Sequence, residues 1–242
     1  MNIMNEKYSN EFNDLLEESL KNNEYVGLGN PNAKILIIGK EPGMELGAKI
    51  THGSAEYWKN NDYSKSFPAT GKLRNLNHTW QKYQKLYDLI LDKLNKCRNK
   101  IDKYEINFVE NIFTTELNKI PALKSTEAKK HKDFKNKLNA RKEIFKSKFI
   151  RNFPIVIIAA NDNKYIETYN GEVRELFEVD FIKEINCGKS NKMWLHYSNN
   201  EKPKIVIHTR QLTNGASNAL LEKIANLVVE FINKNKINII VK

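Results

Sequence analysis

Cysteine is scarce in this chain. Cys97 and Cys187 are the only two, too few for a disulfide framework or for a four-cysteine zinc or iron–sulfur site. A reducing, cytoplasmic setting is therefore the expectation. Long apolar runs are also missing, since none reaches the roughly 18 residues that cross a bilayer. The first 21 residues are polar, with acidic side chains among the leucines and no apolar h-region, so neither a signal peptide nor a membrane partner is expected. No internal repeat and no low-complexity linker interrupts the sequence. The apolar run 35–38 is followed neither by the glycine pattern of a dinucleotide loop nor by the Gly-Lys-Ser/Thr of a phosphate-binding loop. What remains is ordinary globular material. Hydrophobic residues make up 40% of 242, enough to core one domain spanning the chain.

Acidic residues are outnumbered. Forty lysines and arginines against 29 aspartates and glutamates give a net charge of +11. A protein this basic commonly meets a polyanion, and nucleic acid is the first candidate. The same excess of Lys, Asn and Ile also arises from an AT-rich coding bias without any function.

Hydrophobic periodicity organises the chain. Phe12, Leu15, Leu16 and Leu20 recur at helical spacing over 10–21, with Ser9 or Asn10 as cap. After the turn-rich run Gly27-Leu28-Gly29-Asn30-Pro31-Asn32, the continuous apolar stretch Ile35-Leu36-Ile37-Ile38 reads as a buried parallel strand ending at Gly39. Residues 44–73 read as an irregular loop long enough to be functional. Trp80, Tyr83, Leu86, Tyr87, Ile90 and Leu94 mark a helix. A second strand is expected over 106–113, a basic helical region over 126–150, and a third strand over 155–159. A short helix follows around Val173–Phe177, then a fourth strand over 205–207, a helix over 219–232, and an edge strand over 237–241. Strands alternating with helices predict a three-layer α/β/α sandwich with a mainly parallel, four-stranded central sheet. In such sheets ligands bind beyond the carboxyl ends of the strands. The segments 39–43, 111–118 and 208–215 are expected there.

Three of these segments carry chemistry. Gly39-Lys40-Glu41-Pro42-Gly43 turns tightly off a strand and would present Glu41 at its end; as a pentapeptide alone it reads first as an ordinary surface turn. His208 leaves a buried strand and can aim a donor into a cleft. Asn111 offers an amide donor and acceptor suited to a base edge, or else caps a turn.

Taken together, these segments resemble the uracil-DNA glycosylase superfamily. Gly27-Leu28-Gly29-Asn30-Pro31 followed by Ala33 through Gly43 resembles the first motif with its lead-in. Glu110-Asn111-Ile112 through Lys119 and Pro121 resembles the segment with the base-reading Asn. His208 to Leu212 falls on the second motif, where Thr209-Arg210-Gln211 stands in place of the usual Pro-Ser-Pro. The resemblance runs from about Tyr25 to Val229. It implies a DNA glycosylase that hydrolyses the N-glycosidic bond of a flipped uracil or other modified pyrimidine, in repair or in defence against phage, as a monomer without metal or cofactor. Glu41 would orient water or stabilise the cationic sugar, and His208 would donate to the leaving base. Asn111 would read the base, with Phe67 stacking on it and Gly39 and Lys40 lining its pocket. Leu212 would wedge into the duplex, beside Arg210, Gln211 and Thr213 on the DNA. An aromatic such as Phe67 or Tyr63 suits stacking, and the basic residues of 119–151 suit phosphates. The same fold retained as a non-catalytic nucleic-acid-binding module is the competing class.

Overall fold

The computed structural model describes residues 8–22, 24–50, 52–60, 78–96, 106–169, 171–188, 191–198, 201–213 and 215–239. Phe67, Tyr63 and Cys97 lie outside them. Helix α1 (Asn10–Lys21) occupies the expected span, its first turn capped by the Ser9 hydroxyl, which accepts from the Phe12 amide. Strands β1 (Leu28–Gly29) and β2 (Ile35–Gly39) follow, then helices α2 (Ala55–Asn60) and α3 (His78–Lys93). After a 3-10 turn at Phe108–Glu110 come β3 (Ile112–Glu116), α4 (Ser125–Ala128), α5 (Phe134–Phe145), α6 (Lys148–Arg151) and β4 (Ile155–Ala159). The chain then forms α7 (Glu172–Phe177), β5 (Asp180–Asn186), β6 (Lys192–Ser198), β7 (Lys204–Thr209) and α8 (Asn218–Lys234).

The strands form one mixed sheet in the order β1-β3-β2-β4-β7-β6-β5. Its middle four, β3-β2-β4-β7, are parallel, and this part matches the expectation. The sheet is nevertheless seven-stranded. β1 pairs antiparallel with β3, and the β5–β6 hairpin extends the other edge antiparallel to β7. Every residue of β2 and β4 is buried. That requires cover on both faces and explains why these strands are continuous apolar runs rather than alternating ones. The helices divide accordingly: α3 packs on α8, while α1 packs on α2 and α6, and α5 on α6 and α7.

Register and the two-residue period of a strand assign the faces. Phe113 of β3 is aligned with Leu36 of β2 and Val156 of β4. Its ring meets Phe12 of α1 and Phe149 of α6, so this row faces α1 and α6. Two residues on, Thr115, Ile38, Ile158 and His208 form the next row on the same face. The intervening row, Thr114 with Ile37, Ile157 and Ile207, faces α3 and α8, and so does the row that ends the strands, Glu116 with Gly39.

Several expectations shift. The second strand starts at Ile112, not 106: the apolar residues 106–109 are buried core contributed by the loop and the 3-10 turn. The basic region 126–150 breaks into α4, α5 and α6. Residues 237–239 form no strand. No helix of the described residues is long and apolar enough to cross a membrane.

Candidate active site

A cleft of about 520 Å³ opens at the carboxyl ends of β2 and β3, on the α3 side of the sheet. This volume suits a small molecule or one flipped nucleotide. Its floor is made by Thr114 and Glu116 of β3, Tyr25, and Tyr83 of α3; its rim carries Lys40, Glu41, His52, Trp80, Lys124 and Ser125. Gln211 and Thr213 reach it from the loop between β7 and α8.

Glu41 is 9% exposed. The Ser125 hydroxyl donates to its Oε1 at 2.6 Å, and the Tyr165 hydroxyl donates to its Oε2. Burial pushes its pKa upward, and the two hydroxyls, with Lys40 nearby, pull it back. Beside it Asp162 Oδ2 accepts from Lys129 at 2.9 Å and from Lys40 at 3.4 Å. The Lys40 ammonium also lies 5.3 Å from the centre of the Tyr165 ring. This group ties the β2 and β4 ends together at the point where the strand order reverses, the usual ligand crevice of such sheets. The open space lies next to it, toward β3 and α3.

Glu116 is the second carboxyl of the cleft and was missed in the sequence. A Cβ on Gly39 would come within 2.2 Å of its Oε2, so the absent side chain is what lets the carboxyl rest there. Burial and the neighbouring Glu41 charge raise its pKa to about 8, against the opposing pull of Arg141. Its Oε2 and the Thr114 hydroxyl are buried without a hydrogen-bond partner among the described residues. The signal for it was weak: an acidic residue ending a strand of Ile, Phe and Thr, visible only once the strand boundary is known.

Arg141 of α5 holds this floor from behind. Its side chain is fully buried and donates to the Tyr25 carbonyl, to the Glu116 carbonyl at 3.0 and 3.1 Å, and to the Thr115 hydroxyl at 2.7 Å. The guanidinium stacks over Tyr25 and Phe145. Desolvation lowers its pKa only to about 10, so it remains charged at neutral pH.

Of the residues singled out in the sequence, Gly39, Lys40, Glu41, Gln211 and Thr213 line this cleft. The others do not. Asn111 stands before β3, at the amino end of the sheet, because the strand begins at Ile112. It is 6% exposed and donates to the Tyr87 hydroxyl at 2.8 Å. His208 belongs to the row facing the opposite side of the sheet. Fully buried, it donates from Nε2 to the Ala160 carbonyl at 3.1 Å and packs against Trp194. Desolvation lowers its pKa to about 4, so it is neutral at ordinary pH. Leu212 is 0% exposed and part of the core. Arg210 donates to Asn191 at 3.2 Å and does not line the cleft.

Chemically, the cleft combines a buried carboxyl gripped by hydroxyls, a second carboxyl whose pKa burial raises to about 8, lysines, and the aromatic rings of Trp80, Tyr25 and Tyr83. Among the described residues no group of three or more His, Cys, Asp and Glu converges as a metal-ligand set. No family model matches the chain, and no curated protein matches it.

Proposed function

We propose that this protein is a DNA glycosylase, built on a uracil-DNA glycosylase-like fold, that hydrolyses the N-glycosidic bond of a flipped uracil or other modified pyrimidine. The observation that carries the reading is the cleft at the carboxyl ends of the parallel strands, with Glu41 buried in its wall. Breaking the bond leaves the electron pair on the base and positive charge on the sugar. A carboxylate beside the sugar and a donor beside the base stabilise the two ends. Glu41, ionised, faces the sugar, orients water toward C1′ and takes the proton that water loses. The water oxygen stays on C1′, and the base leaves with the electron pair of the broken bond and takes a proton from the donor beside it, which solvent then replenishes as Glu41 returns its own.

The target base leaves the stack to reach such a cleft, and Trp80, Tyr83 or Tyr25 offers it an aromatic face. Lys40 and Lys124 at the rim, within a chain of net charge +11, suit the flanking phosphates of a DNA partner met by one copy of the chain.

The test is base release from a panel of duplexes carrying uracil, mismatched thymine, hydroxymethylated and glucosylated cytosine, and alkylated or deaminated purines. Wild type is expected to release one base, and Glu41→Gln to lose at least a hundredfold of that rate, in line with the 10²–10⁴-fold typical of positioned acid–base groups. A second reading, a non-catalytic DNA-binding module, draws on one observation: both Glu41 oxygens already accept hydrogen bonds from protein hydroxyls. Salt-dependent DNA binding with no base released from any duplex, and unchanged by Glu41→Gln, would select it.

A further inference from the structure

We infer that Glu116 is a further catalytic residue of the cleft, the acid that delivers a proton to the departing base. The inference rests on the glycosylase reading above and fills the role the resemblance implied for His208, whose ring lies on the other face of the sheet.

The placement comes from the sheet. Glu116 is register-paired with Gly39, so its side chain stands at the carboxyl end of β3, beside the turn that carries Glu41. It faces α3 and lines the same cleft. Its Oε2 is covered by protein yet has no hydrogen-bond partner among the described residues, and the Thr114 hydroxyl next to it on the strand is in the same condition. Two unpartnered buried polar atoms on the same face of β3, at the base of a cleft, are a costly arrangement for a fold to keep. A neutral carboxyl offers one O–H donor and one carbonyl acceptor side by side. With Oε2 covered, the other carboxyl oxygen is the one that can meet a base in the cleft.

The surroundings of Glu116 favour its protonated form. The groups facing Glu116 are Glu41 on the β2 turn, Arg141 from α5, and the phenols of Tyr25 and Tyr83. Burial and the Glu41 charge keep the proton on Glu116 up to about pH 8, while Arg141 limits the shift. At Glu41 burial also raises the pKa, but its two hydroxyl donors and Lys40 pull it back toward the charged form. Two carboxyls driven apart in this way assign themselves as base and acid. In the reaction, water adds to C1′ as the C1′–N bond breaks, and Glu41 takes the proton of that water. The Glu116 carboxyl gives its proton to the base, which leaves neutral. Proton exchange with solvent then restores both groups.

The experiment uses the full chain, wild type and Glu116→Gln, which keeps size and hydrogen bonding but carries no transferable proton. Carbon-13 NMR on glutamate-labelled protein is expected to show one carboxyl titrating near pH 8, absent from Glu116→Gln. Single-turnover base release, on the duplex that the panel identifies, is expected to fall tenfold per pH unit above that midpoint. In Glu116→Gln it should be at least a hundredfold slower and should lose that alkaline fall, with DNA affinity unchanged. Base release by Glu116→Gln at the wild-type rate and with the wild-type alkaline limb overturns the role of Glu116 and leaves the glycosylase reading standing. Titration of every carboxyl in the ordinary carboxylate range does the same. No release from any duplex overturns both.

Discussion

At the scale of single residues, the site depends on how Glu41 is held. Ser125 and Tyr165 each donate to one of its oxygens, and donors to the charged form favour ionisation. Removing them leaves desolvation, which raises the pKa, unopposed on that side. In the double variant Ser125→Ala, Tyr165→Phe, the pH at which Glu41 becomes a carboxylate therefore moves up. The acidic limb of the base-release profile should shift to higher pH. A limb that stays at its wild-type position would show that Glu41 does not set it. Glu41 itself was legible in the sequence because Gly39, Pro42 and Gly43 mark a turn directly after an unmistakable strand. Glu116 was not. The sequence fits 106–113 to a strand, and that frame puts Asn111 where a ligand group belongs and Glu116 in a loop. The burial of Phe108 and Val109 in a 3-10 turn, a tertiary effect, moves the strand's start from 106 to 112 and its end from 113 to 116, and exchanges their places.

At the scale of elements, the four parallel strands and the long helices were legible, because runs such as Ile35–Ile38 and the 3.6-residue spacing in α1, α3 and α8 have little competing interpretation. The β5–β6 hairpin was not. β5 is an exposed edge strand carrying Asp180, Lys183 and Glu184, a composition that reads as a polar loop. β1 was hidden for a different reason. Gly29, with φ of +92°, packs so closely on β3 that a Cβ would sit 2.2 Å from the Ile112 carbonyl, and its two-residue strand has no periodicity to detect. Joining these pieces is Arg141, through which α5 holds the end of β3 and the Tyr25 backbone. Arg141→Met keeps the stem but leaves two buried carbonyls short of donors, at about 1–3 kcal/mol each. We expect a loss of about 3 kcal/mol or more in denaturant unfolding, larger than any single exposed lysine change produces. A loss under about 1 kcal/mol would mean that the carbonyls find other partners and that the clamp contributes little.

At the scale of the whole molecule, two buried groups on opposite faces of the sheet tie stability to pH in opposite directions. Glu116 binds its proton more tightly in the folded state, at about 8 against 4.5 for the free group. Between those values the folded chain carries more protons than the unfolded one, so stability falls as pH rises through the window. His208 binds its proton less tightly when folded, at about 4 against 6.5. There the unfolded chain carries more protons, and stability falls as pH drops from 6.5 toward 4. The windows overlap, so the two slopes oppose each other between 4.5 and 6.5. The uncompensated part of the Glu116 slope lies from 6.5 to 8. Wild type should therefore lose about 1–2 kcal/mol across that upper interval, one pKa unit corresponding to about 1.4 kcal/mol at most. Glu116→Gln should stay level there, and His208→Gln, which retains a donor for the Ala160 carbonyl, should lose the compensation and also fall in stability as pH rises from 4.5 to 6.5. Urea unfolding of the three proteins at pH 4.5, 6.5 and 8 measures this directly. A difference between wild type and Glu116→Gln that stays constant at all three values would mean that Glu116 titrates as a free carboxyl does. The cleft would then lack its acid, and the separation of protonation states between Glu41 and Glu116 would have to be abandoned with it.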